Sequence, residues 1–158
     1  MINAALVLEG GSLRSVYTAG VLDVMMENNM EFAYVIGTSA GALCGGNYIA
    51  KEIGRSARIN IMHSNDANYY GFSRFLRTGS IFNYDYLYNE PINRLYPYAE
   101  DRFLESKQRF VITATNCETG EAVYFEKHTY DDMTAALTAS CSIPLLRCEN
   151  GETAPAPA

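Results

Sequence analysis

At 158 residues and 48% hydrophobic, the chain holds enough apolar material for one domain with a sizeable core. Charged residues make up only 19%, which excludes extensive disorder. A net charge of −6 without any basic stripe argues against nucleic acid as the partner, while leaving a neutral lipid or ester open.

In chain order, "AALVLE" (residues 4–9) is a short apolar run of buried-strand type, and "GGSLR" follows as a loop. "SVYTAGVLDVMMENN" has apolar residues at helical spacing, namely Val16, Ala19, Val21, Leu22, Val24 and Met25, with Asn28-Asn29 as the stop. "FAYVIG" predicts a second strand and "SAGALCGGNYIAKE" a second helix. The first fifty residues thus read β-α-β-α, which implies a parallel sheet with right-handed crossovers. Residues 52–106 read as irregular and hold seven of the twelve tyrosines, between Tyr69 and Tyr98, with a short helix interrupted near Pro91. "RFVITATN" (109–116) is a third buried strand. A turn at Thr119-Gly120 leads to a further strand, and "YDDMTAALTASC" is a helix with Asp131 and Asp132 as capping residues. The domain runs over 1–146, and 147–158 is an unstructured Ala/Pro-containing tail.

The four cysteines, Cys44, Cys117, Cys141 and Cys148, form neither a C-x-x-C pair nor a metal-ligand spacing with histidine, and read as reduced, mostly buried thiols. No metal and no cofactor is implied. The N-terminus lacks a basic region and a long apolar run, so the cytoplasm is the expected location. Residues 32–50 carry no charge and include Gly41-x-x-x-Gly45, but four glycines and several polar residues favour a strand, a tight turn and a helix over a membrane span.

Two motifs carry chemistry. Gly37-Thr38-Ser39-Ala40-Gly41 fits G-x-S-x-G at a strand-to-helix junction. Such a turn pushes the serine hydroxyl out of the sheet, and the glycines on either side remove clashing side chains. The helix that follows aims its unpaired N–H groups at the same point. Ser39 is then a nucleophile, or else the segment is only a close-packed small-residue turn. Gly10-Gly11-Ser12-Leu13-Arg14 follows the first strand, and its backbone N–H groups can form an anion nest of the kind a tetrahedral oxyanion needs. Arg14 is a surface charge or a brace for that loop. In a parallel β-α-β unit both loops lie at one sheet edge, so they are neighbours in space. The loop lacks G-x-G-x-x-G and G-K-[ST], which weakens a nucleotide-binding alternative. His63 and His128 read as surface residues, so a histidine-based triad is disfavoured.

"LVLEGGSLRSVYTAGVLD" and "VIGTSAGAL", followed in order by "GRSARIN", "FVITATNCETGEAVYFEK" and "ALTASCSIPLL", resemble the bacterial branch of the patatin-like phospholipases over residues 4–146. The resemblance implies a three-layer α/β/α fold with a mostly parallel sheet. It also implies a lipid or lysophospholipid acyl hydrolase that works through a Ser-Asp dyad, without histidine and without a cofactor, with possible peripheral membrane contact. Ser39 would be the nucleophile, in an elbow flanked by Gly37 and Gly41. The backbone of Gly10, Gly11 and Ser12, with Arg14 nearby, would form the oxyanion hole. Three departures stand out. Ser12 and Ser15 occupy positions where the family loop has glycine, so the hole persists if the local φ is negative. The family's downstream Asp-Gly motif has no counterpart, because no aspartate follows Asp132; Asn150-Gly151 only echoes it. The chain therefore reads as the N-terminal portion of such a domain, without its base. The alternative is a catalytically inactive fragment, or a lipid-binding or interaction protein. Acyl chain, headgroup and oligomeric state are not legible.

Overall fold

β1 (Ile2–Leu8) and β2 (Phe32–Thr38) pair in parallel, and Leu6, Val7 and Leu8 stand opposite Val35, Ile36 and Gly37. The structure is a computed structural model that describes residues 1–63 and 92–142, with the isolated positions 66, 71 and 83. β3 (Arg109–Thr115) adds to β2 in parallel, and β4 (Ala122–Glu126) adds to β3 antiparallel. The sheet order is β1-β2-β3-β4. The α/β class and the mostly parallel sheet expected from the sequence are what is observed. The tight connection at Thr119-Gly120 that permits the antiparallel return has Gly120 at φ 75.

α1 (Ser15–Glu27) links β1 to β2. It stops where the two asparagines stand. Asn29 takes φ 52, its N–H donates to Met26 O, and the Met30 N–H reaches back to Met25 O, the paired bonds of a Schellman ending. The helix meets the core through Ala19 and Leu22, while Val21 and Val24, expected on the buried stripe, lie on the exposed side. α2 (Ala40–Ile49) is buried at every residue except Leu43. It is a central helix with apolar and small residues all round, which accounts for its uncharged sequence. Leu8, Val35, Phe110, Ile112 and Phe125 on one sheet face form a single core with Ala19, Leu22, Tyr48, Ile49 and Ala136 from the helices.

The region read as irregular contains three short helices among the described residues: α3 (Arg55–Met62), α4 (Ile92–Leu95) and α5 (Glu100–Glu105). α3 buries Ile59 and packs Ala57 against the core, a short apolar face. A polar network adds to it: Arg55 Nη1 donates to Asn47 Oδ1 at 2.9 Å, Arg55 Nε donates to Tyr96 O at 3.0 Å, and Asn47 Nδ2 donates to Ser56 Oγ at 2.7 Å. Burial lowers the pKa of the Arg55 guanidinium from its ordinary value, and the Tyr98 ring lies beneath it at 5.2 Å. α4 begins immediately after Pro91, where the sequence placed the interruption. α6 (Met133–Cys141) is capped as expected, with Asp132 Oδ1 accepting from the Ala135 N–H at 2.8 Å. The remaining tyrosine-rich stretch, Cys148, Asn150-Gly151 and the tail lie outside the described residues.

Candidate active site

β2 ends at Thr38, and the chain turns into α2 within one residue. That residue is Ser39, at φ 52 and ψ −124, a conformation that L-residues rarely adopt. Ser39 occupies the N-cap of α2, and its carbonyl accepts from the Ala42 and Leu43 N–H groups at 2.9 and 3.1 Å. A serine at an N-cap ordinarily spends its side chain on the helix. Ser39 makes no such cap bond, so its hydroxyl is left for other work.

The small residues around it answer to measured crowding. A Cβ on Gly41 would lie 2.4 Å from the carbonyl oxygens of Leu8 and Glu9, and one on Gly37 would lie 2.7 Å from the Ala42 backbone. Glycine at these two positions lets α2 start against the end of β1 while β2 passes beneath it. Gly10, from the loop after β1, faces the elbow: a Cβ there would lie 3.2 Å from Ser39 Cβ and 3.9 Å from Ser39 Oγ. The two motifs are thus brought together at one sheet edge, as the parallel β-α-β topology requires.

The loop itself runs Gly10, Gly11 and then a single 3-10 turn over Ser12–Arg14. Ser12 stands at φ 51, so the condition of a negative φ is not met. The chain must turn from Gly11, at φ 163 and ψ 18, into the 3-10 turn, and the residue at that corner takes the left-handed region that glycine would occupy without strain. The Ser12 backbone is exposed at this corner. Arg14 is also exposed, yet its guanidinium folds back over Gly11; a Cβ there would meet Arg14 Nε and Nη2 at 3.3 Å. The Arg14 backbone N–H donates to Gly11 O at 3.0 Å and closes the turn. Ser15, the other residue standing where the family has glycine, is buried in the first turn of α1, and its carbonyl faces Cys44 Sγ at 3.8 Å.

Two residues that carried no assignment in the sequence, Ser140 and Thr113, hold the elbow from the far side. The Ser39 N–H donates to Ser140 Oγ at 2.7 Å, and the Ser140 hydroxyl donates to Thr113 O at 2.6 Å. Thr113 is the register partner of Thr38 on β3, and the two side-chain hydroxyls are hydrogen-bonded. Ser140 falls inside "ALTASCSIPLL", but no local pattern could single it out, because its partner is 101 residues away. The histidines sit elsewhere. His63 Nδ1 faces Asp66 at 3.7 Å and its ring meets Tyr96 edge-on, whereas His128 is exposed in the turn after β4. A pocket of about 350 Å³ opens at the other end of the strands, lined by Met1, Glu31, Lys51, Arg102 and Gln108 among others, remote from the motifs. Among the described residues no group of three or more His, Cys, Asp or Glu is placed to hold a metal ion, and no helix is long and apolar enough to cross a membrane.

A mostly parallel α/β sheet with a serine at the sharp turn into a buried helix, faced by a glycine loop from the preceding strand, defines the architecture. The family model for patatin-like phospholipases matches residues 6–152, and the chain belongs to that family. It is also 29% identical over 144 residues to the uncharacterized protein YjjU of Escherichia coli (strain K12), a match covering 89% of this chain and 40% of YjjU. The chain therefore spans less than half the length of this curated relative.

Proposed function

We propose that this chain carries the nucleophile half of a serine acyl-ester hydrolase acting on lipid or lysophospholipid esters. Ser39 Oγ attacks the ester carbonyl, the alcohol departs, and water releases the acyl group from the serine ester. The observation that carries this reading is the strained, uncapped Ser39 packed against Gly10. N–H groups of the Gly10–Ser12 loop, with those of the first residues of α2, are the candidate donors to the oxyanion. The Ser39 N–H is not among them, because Ser140 occupies it. Possible peripheral membrane contact belongs to the same reading.

The base of a Ser-Asp dyad is not identified. Asp132 Oδ1 accepts from the Ala135 N–H and caps α6, so its carboxylate is engaged there. The positive φ of Ser12 in the candidate oxyanion loop favours a second reading, in which the site binds a lipid ester or fatty acid without turning it over. A fluorophosphonate probe separates the two. Under the first reading it labels Ser39, and Ser39→Ala abolishes both labelling and short-chain ester hydrolysis. Hydrolysis unchanged in that variant overturns it. Under the second, wild type resists the probe while fatty-acid binding survives Ser39→Ala.

A further inference from the structure

We propose that Ser140 is a positioning residue for Ser39, its hydroxyl fixing the peptide that carries the nucleophile; the catalytic side of this claim rests on the nucleophile reading above. The direction of the bonds is unambiguous. Thr113 O can only accept, so the Ser140 proton must point to it, at 2.6 Å. The Ser140 lone pairs then face the Ser39 N–H, at 2.7 Å.

The Thr38–Ser39 peptide is thereby held by its N–H and faces the loop after β1 with its carbonyl. Its N–H is tied to α6 through Ser140. Its carbonyl oxygen, Thr38 O, lies 3.3 Å from the point where a Gly10 Cβ would stand, so it faces the loop after β1. A flip of this peptide would reverse ψ of Thr38 and φ of Ser39, which stands at 52, and would leave the Ser39 N–H without its acceptor. Thr113 anchors the arrangement, holding Ser140 with its carbonyl and Thr38 with its hydroxyl. The clip thus joins β3 and α6 to the elbow without touching the reacting oxygen.

Two measurements test this together. The first resolves fluorophosphonate labelling of Ser39 into probe affinity and maximal rate, for wild type, Ser140→Ala and Ser140→Thr, with melting curves taken alongside. The expected result is a maximal rate about tenfold lower in Ser140→Ala at unchanged affinity, because a small misplacement of a reacting atom acts on the rate. Ser140→Thr, which keeps the hydroxyl, recovers most of it. A rate within about twofold of wild type in folded Ser140→Ala, or no recovery with threonine, overturns the proposal. The second follows amide exchange, where the Ser39 N–H should exchange about tenfold faster in Ser140→Ala while the Val35 N–H in the same strand is unaffected. Equal Ser39 exchange in both proteins also overturns it. A wild type that the probe never labels refutes the nucleophile reading and the catalytic role of Ser140 with it, and the Ser39 amide alone then decides whether the restraint exists.

Discussion

Gly10 stands so close to Ser39 that a methyl group placed on it would meet Ser39 Cβ at 3.2 Å and Thr38 O at 3.3 Å. Both contacts are tighter than ordinary packing, and Thr38 O belongs to the backbone, so the loop or the elbow must yield by a few tenths of an ångström. Gly10→Ala is expected to leave the protein folded and to slow fluorophosphonate labelling of Ser39 by about tenfold to a hundredfold. Labelling kinetics and a melting curve on the same preparation check this.

Ser39 holds a backbone conformation that costs on the order of 1–3 kcal/mol for an L-residue. Ser39→Gly should therefore stabilise the fold, by a net of about 1 kcal/mol once the greater chain entropy lost by glycine is deducted. Ser39→Ala keeps the strained backbone and should fall within about 0.5 kcal/mol of wild type. Urea midpoints of the three proteins, compared at equal m-value, test the difference.

The β-α-β-α order of the first fifty residues was legible because each piece is signalled locally: apolar runs for β1 and β2, paired asparagines ending α1, glycines around Ser39. The meeting of Gly10 with Ser39 followed from topology alone. What escaped depends on distance or on polarity. α3 was invisible because its apolar face toward the core is only Ala57 and Ile59, and Arg55 and Asn47 hold the rest through polar bonds. Val21 and Val24 fit the helical period of α1 yet face outward. The positive φ of Ser12 depends on the 3-10 turn that follows it, and the Ser140 clip depends on β3 and α6 docking beside β2.

Two glycine-to-alanine changes should move stability in opposite directions. At Gly41 the added carbon would lie 2.4 Å from two backbone oxygens, so α2 must be pushed off the end of β1, at a cost of about 3 kcal/mol or more. At Gly20, within α1, nothing lies within 4 Å of the added carbon, and the residue is exposed. There alanine should stabilise by about 0.5–1 kcal/mol. Thermal unfolding of both variants is the check.

Lys127 is buried, with Nζ donating to Phe103 O at 3.0 Å and Ser106 O at 2.6 Å at the end of α5. Burial lowers its pKa from the ordinary lysine value of 10.5. The folded protein then releases this proton before the unfolded chain does. Between the lowered value and 10.5 the unfolded state binds more protons, so stability rises with pH in that window. Measured as the difference in urea stability between wild type and Lys127→Met, wild type should gain ground as the pH is raised toward 10.5. A flat or falling difference contradicts the assignment.

Cys44 and Cys141 are buried and Cys117 is exposed. Burial also pushes the Cys44 thiol above its ordinary pKa, which lowers its thiolate fraction at neutral pH. Among the described cysteines, iodoacetamide should alkylate Cys117 ahead of Cys44 and Cys141, which are at least about tenfold slower until the protein is unfolded. Peptide mapping by mass spectrometry reads the order directly.

The separation of 101 positions from Ser39 to its clip also has a meaning in time. A ribosome adding about 5–20 residues per second delivers Ser140 roughly 5–20 s after Ser39. β1, α1, β2 and α2 can assemble in that interval, and Gly10 can meet the elbow within them. The Ser39 amide, however, has to wait for β3 and α6 before its acceptor exists. The nascent chain therefore passes through a stage in which the serine is already at its turn but not yet fixed there, and the turn becomes rigid only when the last described helix docks.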